Sequence, residues 1–77
     1  MVYPIYSIND ALVGFQTPTI QNNDAVAMRN FKEAFSDVGT PADFSLFKIG
    51  AFDTDTGEII PEVPQVICRA TDFIGEK

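Results

Sequence analysis

The chain has 77 residues, 45% of them hydrophobic, and its five lysines and arginines stand against eleven aspartates and glutamates, giving a formal net charge of −6. This length and apolar fraction predict one folded, soluble domain over residues 1–77 and exclude a disordered chain. The acidic balance argues against tight nonspecific binding to nucleic acid or to an anionic membrane surface, and no apolar run is long enough for a transmembrane helix or a signal peptide.

The first predicted element is a β-strand over residues 2–8, which are rich in β-forming side chains. Pro4 has no backbone N–H and indicates an edge strand or the start of a strand. Residues 9–10 predict a turn because they are Asn and Asp. Residues 12–15 are then predicted to form a second short strand, with Gly14 as a bulge or a point of close approach.

One amphipathic helix is predicted after a polar loop at residues 18–23. It begins within residues 22–24, whose Asn and Asp side chains can cap the first N–H groups, and it ends at residue 37 or 38. Gly39 suits the position after the helix, and Pro41 prevents continuation. The predicted buried stripe follows the three- and four-residue spacing of a helix face and consists of Ala27, Phe31, Ala34, Phe35 and Val38.

A β-hairpin is predicted next. Its first strand, residues 44–52, is apolar on nearly every position and is therefore expected to be central in the sheet. The turn at residues 53–57 contains Gly57, which can take a positive φ without steric cost. Gly50 indicates either a bulge or a close approach of the backbone to the helix. Residues 58–60 are predicted to return as the second strand.

The C-terminal part is predicted as a separate strand at residues 65–71, because Pro61 and Pro64 are expected to interrupt pairing. Residues 72–77 are predicted to form a frayed tail. The resulting fold class is α+β, with one amphipathic helix packed on an antiparallel sheet of four to five strands. Several strand orders remain open, among them a partly open barrel.

The sequence contains no convincing motif for a catalytic site or a metal site. The chain has no histidine and a single cysteine, Cys68, which lies in a β-prone run and is predicted to be a small buried hydrophobe. Residues 53–58 resemble the start of a calcium loop, but Pro64 occupies the position where such a loop needs a bidentate glutamate. The sequence therefore predicts no enzyme, no cofactor and no metal site.

The aromatic residues allow two interpretations, which both stay open. They form the core or an oligomer interface, or some of them lie on a sheet face and stack the bases of single-stranded DNA. The first is favoured because stacking platforms usually lie in positive grooves and this chain is acidic. The candidate contact residues, which include three basic side chains that would need to converge in space, are Arg29, Lys32, Lys48, Tyr6 and Phe47.

Five short motifs occur in a recognisable order. They are Tyr6-Ser7-Ile8, Asn23-Asp24-x-x-Ala27-x-Arg29-x-Phe31, Pro41-x-Asp43, Leu46-Phe47-x-Ile49-Gly50-x-Phe52-Asp53 and Thr56-Gly57-x-Ile59. Together they resemble the small nonstructural protein of gokushoviruses, bacteriophages of the family Microviridae with small circular single-stranded DNA genomes. The resemblance spans about residues 3–60, and the fourth motif is its most specific part.

The resemblance implies a non-virion protein made in the host cytoplasm, which binds DNA or acts in the switch from duplex replication to packaging of single strands. It brings no catalytic residues, and Arg29 matches the helix arginine of the family, a candidate contact to a phosphate or a partner. One hypothesis is a homo-oligomer that binds single-stranded DNA. The alternative is an acidic interaction module that contacts the phage initiator or a host replication factor without binding DNA.

Overall fold

The computed structural model describes residues 1–35 and 39–73. One helix packs on one face of a five-stranded antiparallel sheet that does not close into a barrel, which confirms the predicted α+β fold. The elements are β1 (Val2–Asp10), β2 (Gly14–Phe15), β3 (Thr19–Ile20), α1 (Asp24–Phe35), β4 (Phe44–Asp53) and β5 (Ile59–Arg69), with short 3₁₀ helices at Pro41–Asp43 and Ala70–Phe73.

The long hairpin forms the middle and one edge of the sheet. Strand β4 lies between β1 and β5, as the apolar pattern of β4 predicts, while β2 and β3 pair with different parts of the other edge of β1. The tight turn of the hairpin is also confirmed. Gly57 has a φ of +77°, and its N–H donates to the carbonyl oxygen of Asp53 at 2.8 Å.

The N-terminal part differs from the prediction in two places. Strand β1 runs on to Asp10, whose Oδ1 accepts a hydrogen bond from the N–H of Leu12 at 2.9 Å. The turn therefore lies at residues 11–13, and only Gly14–Phe15 remain as the second strand. In the predicted loop, Thr19–Ile20 pair with β1, a contact too short to leave any periodic signal in the sequence.

Helix α1 begins as predicted. The Oδ1 of Asn23 accepts a hydrogen bond from the N–H of Val26 at 2.9 Å, which satisfies one of the free donors of the first turn. Ala27 and Phe31 are buried, Phe35 is partly buried, and Ala34 is exposed, so the buried stripe is narrower than predicted. The predicted end of the helix and Val38 lie outside the described residues.

The core lies between α1 and one end of the sheet, where β1, β4 and β5 each contribute a buried side chain. The 3₁₀ helix at Ala70–Phe73 closes this end, with the ring of Phe73 at 6.3 Å from that of Phe31. Cys68 is buried there as predicted, and burial raises the pKa of its thiol to about 11, with a smaller contribution from Asp72. The buried cluster consists of Tyr6, Ala27, Phe31, Leu46, Cys68 and Ala70.

A bulge interrupts β4 near its middle. On β1, Ile5 pairs with Gly50 and Tyr6 pairs with Lys48, so Ile49 is an extra residue on β4. A Cβ atom built on Gly50 would lie 2.6 Å from the carbonyl oxygen of Ile60. The predicted bulge is thus confirmed, but the close approach is to the neighbouring strand β5 rather than to the helix.

The prediction of a separate last strand was wrong, because β5 is one continuous edge strand, but its pairing with β4 is interrupted between Pro61 and Gln65, as the two prolines predict. The N–H of Asp53 donates to the carbonyl oxygen of Glu58 at 3.0 Å, and the alternation of an antiparallel pair then turns the ring nitrogen of Pro61 away from β4. Pro64 lies where β5 bulges, between the pairs made by Pro61 and Gln65. An edge strand tolerates proline at such positions.

Candidate functional site

The two faces of the sheet differ because α1 covers only one of them. Cross-strand partners lie on the same side of an antiparallel pair, so the register assigns each strand residue to a face. Tyr6, Leu46 and Cys68 lie on the helix side. We call the opposite side the open face, and its residues are Tyr3, Ile5, Ser7, Asn9, Phe15, Ile20, Ser45, Phe47, Gly50, Phe52, Ile59, Pro61, Val66 and Arg69.

The open face is largely apolar and aromatic. The ring of Phe15 meets that of Phe47 edge-on, with 5.2 Å between the centroids. Phe15 and Ile20 are about half exposed, and Ile59 keeps 69% of its surface accessible. Within the described parts of the chain, no helix packs on this face. The face therefore presents rings and aliphatic side chains to whatever binds there.

The open face carries no acidic residue in the register of the described strands. Its one charged side chain is Arg69, which pairs with Ser45 near the end of β5. The acidic residues of the described chain lie on α1, in turns and 3₁₀ helices, or at helix-side strand positions: Asp10, Asp24, Glu33, Asp43, Asp53, Asp55, Glu58, Glu62 and Asp72. In a chain of net charge −6, the described residues thus leave one surface without carboxylates.

The three predicted basic residues lie away from the open face. Lys48 is on the helix side, with its Nζ 3.5 Å from Oε1 of Glu62. Lys32 is on α1, with its Nζ 5.5 Å from the centre of the Phe73 ring. Arg29 is exposed on the same helix. Lys48 and Lys32 therefore have neighbours on the helix side, and Arg69 is the charged residue of the open face among the described positions.

The two predicted aromatic contacts fall on opposite sides of the sheet. Phe47 lies on the open face against Phe15 and is partly exposed. Tyr6 is fully buried beneath α1, and its hydroxyl donates a hydrogen bond to Asp24. In this conformation the Tyr6 ring offers no surface on which a base could stack, so its contribution is to the core.

A groove of about 560 Å³ lies beside the N-terminus of α1. Small apolar and polar residues line it together with the charged side chains of Asp24, Lys48 and Glu62. The lysine and the glutamate already form an ion pair, and the aspartate accepts the hydrogen bond of Tyr6. Among the described residues no cluster of acids and cysteine has the arrangement of a metal site. The groove is therefore a weaker candidate than the open face.

The buried Tyr6 makes stability sensitive to alkaline pH. Burial raises the pKa of Tyr6 above its usual value, and the hydrogen bond to Asp24 adds to the shift. Because the folded pKa exceeds that of the unfolded chain, stability is unaffected below pH ~10 and falls above it by ~1.4 kcal/mol per pH unit. Tyr6→Phe should remove this part of the alkaline loss, as measured by urea unfolding at rising pH.

The matched control for this experiment is Tyr3→Phe. Tyr3 lies on the open face and its hydroxyl is near the sulfur of Met1, so this variant should keep the alkaline loss of the wild type. Cys68 titrates in the same range in all three proteins, and the difference from the wild type isolates the tyrosine. An alkaline slope that is equal in Tyr6→Phe and in the wild type would contradict the assignment.

Comparison with known proteins identifies a family that this chain matches. Residues 3–73 match the family model described as "Phage ORF5 protein", which covers nearly the whole chain. No curated protein and no solved structure matches the chain. Among the described residues, no helix is both long enough and apolar enough to cross a membrane.

Proposed function

The chain belongs to the phage ORF5 protein family, and we propose on that basis that it is a non-enzymatic phage protein acting in genome replication or in the switch to single-stranded DNA synthesis and packaging. In this proposal it binds single-stranded DNA directly. The ordered motifs that resemble the gokushovirus nonstructural protein support the finer assignment to that group of phages. The family match itself supports a phage protein.

The observation that carries the proposal is the open face. Single-stranded DNA binds proteins by stacking its bases on exposed aromatic rings, and each stacked base contributes ~1–3 kcal/mol. Phe15 and Phe47 form one ring pair on this face, and Tyr3 and Phe52 are cross-strand partners in another part of it. The two groups are four residues apart along β1, or about 13 Å. Several bases could therefore contact rings at the same time.

The electrostatics of the face set the expected strength of binding. A carboxylate near the phosphates would oppose binding, and the described residues of the open face include none. Arg69 supplies one cation. Because each phosphate neutralised on a single strand contributes a salt slope of about −0.7, we expect a slope near that value rather than the steep dependence of basic proteins. Affinity should come mainly from stacking.

The proposal is tested by fluorescence anisotropy of a labelled oligothymidylate titrated with the protein at low salt. Phe47→Ala should weaken binding by about fivefold or more, because a stacked base is worth at least ~1 kcal/mol. Lys48→Gln, on the other side of the sheet, should bind like the wild type. Arg69→Gln should make the binding affinity less dependent on salt concentration. No change of anisotropy at high protein concentration, or full binding by Phe47→Ala, would refute direct binding.

A second function is favoured by one observation, the pairing of Lys48 with Glu62 in a chain of net charge −6. We propose as the alternative an acidic module that contacts the phage initiator or a host replication factor and does not bind DNA. Affinity capture from infected cells distinguishes the two proposed functions. The wild-type protein and the Phe47→Ala variant are used as matched baits. A captured replication protein that the variant loses, together with absent DNA binding, would favour the alternative.

A further inference from the structure

We infer that two copies of this chain associate face to face through the open face, so that self-association and the binding of single-stranded DNA compete for one surface. The inferred dimer goes beyond the proposed function and is argued from the structure of the chain alone. The inferred competition between dimerisation and DNA binding rests on the proposed function.

The first argument is the area of the face on which no helix of the described chain packs. Strands β1, β4 and β5 have 9, 10 and 11 residues. At ~3.3 Å per residue and ~4.8 Å between strands, the face measures about 500–600 Å² with β2 and β3 included. Because Ile5, Ser7 and Gly50 at the centre of the face are already buried in the single chain, two such faces would bury at most roughly 1,000–1,200 Å², the low end for specific complexes. This area predicts a weak, concentration-dependent dimer.

The second argument is charge. Two chains that each carry a net charge of −6 repel one another, and contacts made through the hairpin tip, with Asp53, Asp55 and Glu58, would bring carboxylates together. The open face has no acidic residue among its described positions and a single arginine. It is therefore the surface on which a second acidic copy meets the least repulsion. A basic partner would instead be drawn to the acidic hairpin tip.

The third argument is the edge of the sheet. A second copy could in principle add its strand to β5, but Pro61 presents no N–H on the outer side of this strand, and Pro64 removes a further donor. At the other edge, β2 and β3 have two residues each. Strand addition is therefore disfavoured at both edges, and face-to-face packing is the remaining way for two sheets to meet.

Exposed positions allow the dimer to be tested without disturbing the core. Ile20 and Ile59 lie on the open face, 51% and 69% exposed in the single chain, so glutamate at either should leave the fold intact. Leu12→Glu is the matched control, because Leu12 is 82% exposed in the turn before β2 and outside the open face. Circular dichroism and a thermal melt verify folding of all three variants.

Sedimentation velocity over a wide concentration range gives the decisive measurement. The wild type should dimerise in the micromolar range, Ile20→Glu and Ile59→Glu should each weaken the dimer by about tenfold or more, and Leu12→Glu should change it by less than about twofold. A wild type that stays monomeric throughout would overturn the inference. So would a dimer that both face variants leave unchanged.

The same experiment with saturating oligothymidylate tests the competition. The nucleic acid should convert dimers to complexes that contain one protein chain, and the face variants should lose DNA binding along with dimerisation. A complex in which DNA is bound to an intact dimer would overturn the competition. Dimerisation without any DNA binding would refute the proposed function and leave the face-to-face dimer standing, whereas DNA binding by a strict monomer would do the reverse.

Discussion

Phe31→Ala is expected to lower the free energy of unfolding by about 3–5 kcal/mol, the cost of removing a large buried ring from a packed core. Phe31 is 2% exposed and belongs to the cluster beneath α1. Its ring lies 4.9 Å from that of Phe35 and 6.3 Å from that of Phe73, so truncation removes partners from both the helix and the C-terminal 3₁₀ helix. Since a domain of this size has a total stability of about 4–12 kcal/mol, the variant should lose a large fraction of it.

Urea denaturation followed by circular dichroism measures this effect, and Phe15→Ala is the matched control. Phe15 is half exposed on the open face and contacts one ring, that of Phe47. Its removal should therefore cost less than half as much as removal of Phe31. Equal losses of stability in the two variants would mean that the helix side is not the principal core.

Gly50→Ala should destabilise the protein by about 1–3 kcal/mol, although it adds only one methyl group. The new Cβ would lie 2.6 Å from the carbonyl oxygen of Ile60. A flexible side chain could move away from such a contact, but this oxygen belongs to the backbone of the neighbouring strand. Relief therefore requires β4 and β5 to separate locally, at the point where their pairing is already irregular.

The control is Gly39→Ala, where a Cβ would meet no atom within 4 Å. Its stability should differ from that of the wild type by less than about 0.5 kcal/mol, as for most surface substitutions. Thermal and urea unfolding of the two variants, side by side, isolate the effect of the close contact. A Gly50→Ala protein as stable as the wild type would show that the two strands do not approach each other this closely.

The helix and the hairpin are predictable from the sequence because their signals are local and repeated. Ala27 and Phe31 recur at helical spacing behind an Asn cap, and the turn before Gly57 has the residues that a tight reversal requires. Strand β3 has two residues and depends on pairing with β1, which local pattern cannot show. The continuity of β5 through Pro61 depends on its position at an edge, which is a property of the whole sheet.

The candidate site was harder to predict, for a reason that lies in the bulge. Strict alternation would place Phe47 and Phe52 on opposite faces, since they are five residues apart. The extra residue Ile49 changes the phase, and both rings lie on the open face. The aromatic ring of Tyr6 predicts a stacking contact, but burial beneath α1 removes this ring from the surface. Arg69 had no distinguishing sequence signal, because its position on the open face follows from the register with Ser45.

The irregular pairing around Ile49 also divides the sheet into two parts that are held with unequal strength. On one side, the strands carry the buried cluster and lie beneath α1. On the other, the hairpin tip relies on strand pairing, with Ile59 and Ile60 exposed. Opening of a native protein proceeds through local cooperative units of different free energy. We therefore expect the tip to open at a lower free energy than the half beneath α1.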